Sequence, residues 1–293
     1  MCELLGLNSN APTAATFSFS GLSARGGHTG DHADGWGMAF HDGDGCRVFV
    51  DDGRACDAPL ADFLRRQPLR APTVMAHVRK ATQGAVELSN CHPFQRECLG
   101  RHWLFCHNGD LGAFRPPLRG AARPVGSTDS EWAFCWLLAQ LRRRFRTAPD
   151  WPELAPALAD WMAQLAAHGV FNMLLTDGRA LYAHASTHLC WVQRQHPFAR
   201  ARLVDRDVEI DLAQANSPSD RMVVVATKPL TTGESWQAFA PGELKVFVAG
   251  EQVWSHQQNP APQPRHETSL VSLGMAGLLA KVEAMVPAPS LSA

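Results

Sequence analysis

Residues 1–10 read MCELLGLNSN, and this stretch decides how the rest of the chain is interpreted. Its leucines indicate a short β-strand at residues 1–8. Once Met1 is removed, Cys2 becomes the first residue and carries a free α-amine beside its thiol. The ordinary pKa is about 7.7–8.0 for an α-amine and about 8.5 for a thiol, so near neutral pH the amine can take the thiol proton. The stretch predicts a strand that begins with a nucleophile and its own base, and a buried structural cysteine is the alternative.

The composition indicates a globular chain. It has 293 residues, of which 45% are hydrophobic and 19% charged, enough to bury the core of one large domain or two small ones. The formal net charge is -1, so no basic field favours a nucleic acid or an anionic membrane surface. No apolar stretch approaches the roughly 20 residues of a membrane-spanning helix. Neither a signal peptide nor a C-x-x-C pair accompanies the eight cysteines, so we expect reduced thiols and a cytoplasmic protein.

Local patterns predict strands, then helices, then strands. Single strands are predicted at 1–8, 73–82 and 102–111, and two strands joined by a Gly/Asp turn at 36–52. A hairpin about Asp177-Gly178 is predicted at 170–185, and strands at 221–230 and 243–250 complete a second β-rich group with it. Helices are predicted at 57–67, 127–145 and 152–169. This order favours an α+β domain of layered antiparallel sheets over a doubly wound parallel fold. After Gly250 the composition shifts to a Pro/Gln-rich segment.

Polar side chains suited to an amide substrate occur in four stretches: GDHADGWGMAF (30–40), AHVRKATQG (76–84), CHNGDL (106–111) and GSTDSE (126–131). Arg79 can form a bidentate pair with a carboxylate, or an ordinary surface ion pair. Asn108 offers a side-chain amide and Gly109 a backbone N–H, the ingredients of an oxyanion hole, although an Asn-Gly turn is the alternative. Asp129 can receive an ammonium group, and helix N-capping explains it equally well.

The order of these motifs resembles a known family. Cys2, DGWG (34–37), HVRKAT (77–82), CHPF (91–94), HNG (107–109) and STDSE (127–131) are similar in sequence and spacing to the glutaminase domain of class II glutamine amidotransferases, which are N-terminal-nucleophile hydrolases. The similarity is greatest to standalone bacterial members. The resemblance implies a four-layer αββα sandwich with two antiparallel sheets. It implies a glutaminase-type domain at 1–250. The composition after Gly250 predicts a Pro-rich linker and tail at 251–293, within which residues 269–285 are compatible with a short docking helix.

The resemblance also implies catalytic roles. Cys2, freed of Met1, would attack the side-chain amide of glutamine, and Asn108 with Gly109 would stabilise the oxyanion. Ammonia and glutamate would be the products, with no cofactor and no metal. About 43 residues follow Gly250, too few in such a segment to bury a second active site, so an ammonia acceptor would be a separate subunit. The sequence is compatible with a homodimer.

Substrate-binding and supporting roles follow from the same resemblance. Arg79 would hold the α-carboxylate of the substrate and Asp129 its α-ammonium, and a backbone group near Thr82 would help to seat it. The residues with a supporting role would be His77, Trp36 and Gly37, and a buried structural histidine is the alternative for the first.

The chain departs from the family pattern at Lys80, where many members have tryptophan, and at Gln83, where they have histidine. These positions lie beside the substrate and its cover, so another γ-glutamyl amide or peptide is an alternative substrate. A catalytically silent glutamine-binding module is the non-enzymatic alternative, against which the nucleophile argues.

A metal site is the remaining alternative. The segment HTGDHADG (28–35) groups histidine and aspartate side chains, and Cys91-His92 and Cys106-His107 are pairs. Neighbouring residues on a strand point to opposite faces, so neither pair can easily bind one ion, and the spacing matches no usual zinc pattern. The glycine-rich segment around it lacks the Lys-Ser/Thr of a phosphate-binding loop. We therefore predict no metal site.

Overall fold

The computed structural model of the protein describes residues 2–119 and 122–258. Its strands are β1 Glu3–Ala14, β2 Trp36–Asp42, β3 Gly45–Asp51, β4 Arg70–Val78, β5 Phe94–Cys98, β6 Arg101–Asp110, β7 Val170–Thr176, β8 Leu181–Ala185, β9 Cys190–Gln195, β10 Arg200–Leu203, β11 Glu209–Asp211, β12 Arg221–Ala226, β13 Thr231–Thr232, β14 Gln237–Ala238, β15 Glu243–Val248 and β16 Glu251–Gln257. The helices are α1 Thr16–Arg25, α2 Pro59–Arg66, α3 Asp129–Arg144, α4 Trp151–Ala166 and α5 Leu212–Ala215.

Most strands belong to two large antiparallel sheets. The first sheet has the order β14-β9-β12-β1-β4-β2-β3, and the second has the order β16-β15-β8-β7-β6-β5. A small third sheet contains β11, β10 and β13. Strand β1 lies inside the first sheet, between β12 and β4; it pairs with β4 from Glu3 onward and with β12 from Leu5 onward.

The alternation of side chains along the strands produces four layers. On β1, Leu5 packs in the cluster that contains residues of α1 and α2, whereas Leu4 packs between the two sheets. On β6, Phe105 packs with α3 and α4, whereas Leu104 packs between the sheets. Successive residues of a strand point to opposite faces, so each sheet buries one face on the other sheet and one face on helices. The predicted αββα sandwich is confirmed.

The same alternation directs the site residues into the layer between the sheets. Cys2 is two residues before Leu4 and Asn108 is four residues after Leu104, so both are in register with side chains of the inter-sheet cluster. The catalytic candidates therefore meet at one end of that layer.

The predicted helices at 57–67, 127–145 and 152–169 are confirmed as α2, α3 and α4. The sequence pattern does not predict α1, because its alternating Phe and Ser residues also suit a strand. Tertiary packing decides the outcome, since Phe19 and Leu22, three positions apart, are both fully buried against the first sheet.

The late strands differ from the expected grouping. Strand β12 pairs with β1 in the first sheet and β15 pairs with β8 in the second, so the two do not form one β-rich group. Strand β16 extends the second sheet seven residues beyond Gly250. The predicted docking helix lies outside the described residues. No helix in the described ranges is long and apolar enough to cross a membrane.

Candidate active site

The Cys2 thiol lies against the backbone of Lys80, just after β4. The thiol donates to the Lys80 carbonyl oxygen at 3.3 Å, and the Lys80 N–H donates to the sulfur at 3.3 Å. Burial raises the pKa of the thiol, whereas the Lys80 N–H and the charge of Arg79 lower it. The carbonyl favours the thiol and the N–H favours the thiolate, so one backbone unit accommodates both protonation states.

Asn108 holds the backbone of Cys2. Its Nδ2 donates to the Cys2 carbonyl oxygen and, at 3.4 Å, to Thr227 Oγ1. Thr227 also fixes Leu4, whose N–H donates to Thr227 Oγ1 at 2.9 Å and whose carbonyl accepts from the Thr227 N–H at 3.2 Å. Sequence patterns do not reveal Thr227 or the Lys80 backbone, because both reach the site through strand pairing between distant segments.

Gly109 follows Asn108 within β6, so the alternative of an Asn-Gly turn is wrong. The glycine is required by the neighbouring strand β7. A Cβ atom on Gly109 would lie 1.8 Å from the Val170 carbonyl oxygen. The absence of a side chain therefore lets the sheet continue directly beyond Asn108.

Arg79 is 2% exposed and therefore not a surface residue. Its guanidinium donates to four carbonyl oxygens: from Nη1 to Asp34 at 3.2 Å and Ala85 at 3.1 Å, and from Nη2 to Gln83 at 2.9 Å and Gly84 at 3.3 Å. No ion pair within residues 2–119 and 122–258 includes this guanidinium. Arg79 is a buried cation that orders the segment after β4.

That segment contains the predicted residue Thr82, which is exposed. The two departures from the family pattern flank it. Lys80 forms an ion pair with Asp31, and Gln83 Nε2 donates to Asp110 Oδ1 at 2.6 Å. The Lys80 side chain thus ties the segment around Thr82 to the loop at Asp31, and the Gln83 side chain ties it to the end of β6.

Asp129 is buried at the first position of α3. Its Oδ2 accepts from the Leu111 N–H at 2.7 Å and its Oδ1 from the Ser130 N–H at 2.8 Å. The helix is capped instead by Thr128, whose side chain accepts from the Glu131 N–H. N-capping therefore does not explain Asp129, which lies beside the segment that follows Asn108.

The three supporting candidates occupy different environments. His77 is fully buried, its ring lies 4.3 Å from that of His92, and burial together with the charge of Arg79 lowers its pKa to about 3. Trp36 packs on the helix side of the first sheet, with its ring 5.7 Å from Phe19. A Cβ atom on Gly37 would lie 2.3 Å from the His92 carbonyl oxygen.

Within residues 28–35, Asp31 Oδ1 lies 4.0 Å from His32 Nδ1, and Asp34 makes a separate contact. Asp34 Oδ2 accepts from the Ala81 N–H at 2.8 Å, whereas the His32 ring lies 3.2 Å from the Arg25 carbonyl oxygen. In the described part of the chain, no three His, Cys, Asp or Glu side chains are grouped so that they could hold a metal ion.

A cavity of about 580 Å³ opens beside Cys2. Its walls come from Glu3, Asp31 and His32 on one side and from the segments 187–190, 227–229 and 238–239 on the other. The lining does not include Arg79, Asn108 or Asp129. The cavity therefore borders Cys2 but not the other residues proposed to contact the substrate.

Comparisons with known proteins agree on one family. The family model for class II glutamine amidotransferases matches residues 1–271. The chain is 47% identical to "Putative glutamine amidotransferase YafJ" of Escherichia coli (strain K12) over 254 residues, covering 86% of this chain and 100% of that protein. It is 41% identical to "Putative glutamine amidotransferase" of Haemophilus influenzae, covering 86% of each chain.

Solved structures support the fold. The crystal structure of a "predicted glutamine amidotransferase" from Pseudomonas aeruginosa PA01 matches with a TM-score of 0.69 and 40% identity, over 86% of this chain and 100% of that one. Glutamine phosphoribosylpyrophosphate amidotransferase from B. subtilis matches with a TM-score of 0.58 and 16% identity, over 87% of this chain and 49% of that one. The second likeness concerns the fold alone.

Proposed function

The chain belongs to the class II glutamine amidotransferases, and from this premise we propose that it is a cysteine-dependent amidohydrolase that releases ammonia from glutamine. After removal of Met1, the Cys2 α-amine takes the thiol proton and the sulfur attacks the side-chain amide carbon. The α-ammonium then protonates the leaving nitrogen and the C–N bond breaks. Ammonia departs, and the glutamyl group remains bound to Cys2 as a thioester. Water attacks the thioester, the C–S bond breaks, and glutamate and the free thiol result.

The oxyanion is assigned to Asn108 and Gly109. Of the two Asn108 contacts, the one to Thr227 is the longer, at 3.4 Å, so it is the one that an oxyanion would replace. The contact to the Cys2 carbonyl then persists and keeps the nucleophile beside its stabilising group. A donor that is already in place when charge develops contributes mainly to the transition state.

Arg79 and Asp129 are assigned to the unreacting end of the substrate. A substrate α-carboxylate would replace two of the carbonyl contacts of Arg79 and give this buried cation an anionic partner. Each oxygen of Asp129 accepts one backbone N–H and retains lone-pair capacity for an ammonium. Together the two charges would fix the orientation of a zwitterion.

The observation that carries the proposal is the contact set of Cys2. Its sulfur is held by a backbone N–H and C=O, and its carbonyl by the side chain of Asn108. A structural cysteine needs no such arrangement, whereas a nucleophile must be held within a narrow range of positions.

The test combines mass spectrometry with an ammonia assay. We expect the intact mass to show that the active protein begins at Cys2, and we expect Cys2→Ala to abolish ammonia release from glutamine. A cysteine-directed glutamine analogue should label Cys2 of the wild-type protein. An active preparation that retains Met1 contradicts the mechanism, and labelling without turnover indicates the silent glutamine-binding module.

The cavity of about 580 Å³ beside Cys2 favours a second candidate, hydrolysis of another γ-glutamyl amide or peptide. The leaving group of glutamine is ammonia, which needs no space of this size. A substrate with a larger amine would place that amine in the cavity while Arg79 and Asp129 hold its other end.

A panel of γ-glutamyl amides and peptides, assayed beside glutamine, separates the two candidates. Turnover of glutamine alone supports the first, and turnover of a conjugate without glutamine supports the second. Stimulation of glutamine turnover by cell extract would indicate a separate subunit that accepts the ammonia.

A further inference from the structure

Glu3 is a buried carboxylate directly after the nucleophile. Its side chain is 3% exposed, its Oε2 lies 2.9 Å from Arg25 Nη1, and its Oε1 lies 3.2 Å from Lys228 Nζ. Burial of a carboxylate is unfavourable unless cations and hydrogen bonds compensate for the lost water. The two contacts supply that compensation at the first residue of β1.

Arg25 connects Glu3 to three other segments. It is the last residue of α1, its Nε lies 2.7 Å from Asp205 Oδ2, and its Nη2 donates to the Pro229 carbonyl at 2.6 Å. Its Nη1 also donates to the Lys228 carbonyl at 3.3 Å. Through one guanidinium, Glu3 is therefore attached to a helix, to the loop at Asp205 and to the segment after β12.

The Glu3 side chain is directed away from the Cys2 thiol, although Glu3 also lines the cavity beside Cys2. Neighbouring strand residues point to opposite faces, so Glu3 lies on the α1 side of the first sheet while Cys2 is directed between the sheets. The carboxylate thus acts on the nucleophile only through the backbone that joins the two residues.

This attachment matters because Cys2 begins the mature chain in the proposed mechanism, and chain ends fray unless they are held. The contacts of Cys2 itself run to Asn108 and Lys80, and Asn108 must also serve the oxyanion. An anchor that takes no part in the reaction would hold the chain end while Asn108 serves the oxyanion. Glu3 supplies that anchor one residue away.

We propose that Glu3 is a positioning residue, which holds Cys2 at its reactive position through Arg25 and Lys228. The inference rests on the proposed function. Displacement of a reacting group by about 1 Å can cost about 10²-fold in rate. Glutamine releases only ammonia and does not fill the cavity that Glu3 lines, so with glutamine as substrate the loss of Glu3 should lower kcat and leave KM nearly unchanged.

The experiment compares kcat for each active site, counted by stoichiometric labelling with the cysteine-directed glutamine analogue. For Glu3→Ala we expect kcat to fall by about 10-fold to 100-fold with KM within about 3-fold of wild type. Glu3→Gln keeps the shape of the side chain and one acceptor for Arg25, so its kcat should lie between those of the wild type and Glu3→Ala. Equal kcat values for the three proteins would overturn the proposal.

The matched control is Glu234→Ala. Glu234 and Arg194 form a similarly buried ion pair, at 2.8 Å with 4% side-chain exposure on both sides. In β9, Cys190 pairs with Ala226 at the end of β12, next to Thr227. Arg194 lies four residues further along β9, so the Arg194–Glu234 ion pair is roughly 13 Å along the strand from the site. The control should lower thermal stability as Glu3→Ala does, with kcat for each site unchanged. A kcat loss of the same size in the control would assign the effect to stability alone and overturn the proposal.

Two outcomes distinguish this inference from the proposed function. A wild-type protein without amidohydrolase activity refutes the proposed function and the inference with it. An active wild-type protein whose Glu3 variants keep the full kcat refutes the inference alone. If Glu3→Ala does not fold, Glu3→Gln decides, with an expected kcat about 3-fold to 10-fold below wild type and an unchanged kcat as the refutation.

Discussion

In the proposed mechanism Asn108 has two tasks, because its amide donates to the Cys2 carbonyl and would also donate to the oxyanion. We expect Asn108→Ala to lower kcat by about 10²-fold to 10³-fold, the usual cost of one oxyanion donor, with a smaller change in KM. Steady-state kinetics with glutamine measure both constants. A change confined to KM would contradict the assignment.

Arg79→Lys provides the contrasting case. Lysine keeps the charge but loses the planar fork that contacts four carbonyl groups, so the segment around Thr82 and the proposed carboxylate contact both suffer. We expect KM for glutamine to rise more than kcat falls. A pure kcat effect would place Arg79 closer to the reacting atoms than the proposed orientation allows.

At the scale of single residues, the sequence predicts which residues belong to the candidate site better than it predicts which of them are in contact. The spacing of motifs singles out Cys2, Asn108 and Asp129, and the structure places the first two in direct contact. The contact between Cys2 and the Lys80 backbone is not predictable in this way, since it arises from the pairing of β1 with β4. The sequence does not predict the burial of Glu3 or its pairing with Arg25 and Lys228, because these partners lie in distant segments.

Helix α3 positions Asp129 through its first turn. The Thr128 side chain accepts from the Glu131 N–H at 3.2 Å, and Asp129 follows it at the first helical position. We expect Thr128→Ala to lower the free energy of unfolding by about 1 kcal/mol, the usual value of an N-cap, and to raise KM because Asp129 loses its fixed position. Denaturant unfolding and steady-state kinetics test the two effects.

Asp211→Ala is the control for this element. Asp211 caps α5 in the same manner, with its carboxylate accepting from the Ala213 N–H at 3.0 Å, and it has no contact with the site residues. We expect a loss of stability without a change in KM. If both variants leave KM unchanged, the cap of α3 does not control Asp129.

The elements themselves were predictable to different degrees. Helices α3 and α4 are long and periodic, and each buries one apolar face on the second sheet, so pattern and packing agree. In α1, by contrast, the local pattern suits a strand and burial of Phe19 against the first sheet determines the helix. Elements whose local preference and tertiary packing disagree are those that a single sequence does not reveal.

At the scale of the molecule, the four layers follow from strand alternation, but the assignment of strands to sheets does not. Strands β12 and β15 look alike in sequence, and only their long-range pairing separates them into different sheets. This separation matters for the proposed function, because β12 leads to Thr227, which fixes Leu4 two residues from the proposed nucleophile Cys2.

The sandwich also buries several neutral histidines, which makes its stability depend on pH. Burial lowers the pKa of His77 and of His184 to about 3, and lowers that of His92 well below its usual value. In the unfolded chain these groups titrate near about 6.5. Between about pH 6.5 and pH 3 the unfolded state therefore binds more protons than the folded state, so stability must fall as the pH falls through that range.

His184→Leu isolates one of these titrations. His184 lies in β8 with its ring 6.1 Å from that of Phe171, outside the proposed catalytic contacts, and leucine has a similar volume. One buried histidine contributes about 1.4 kcal/mol per pH unit to the slope of the unfolding free energy against pH. Between about pH 5.5 and about pH 4.5, which lies inside the range between the unfolded and folded pKa values, the slope for the variant should be smaller than the wild-type slope by about that amount. Denaturant unfolding at a series of pH values measures it, and His28→Leu, at an exposed histidine, is the control. If His184→Leu keeps the wild-type slope, His184 is protonated in the folded protein and burial does not determine its charge.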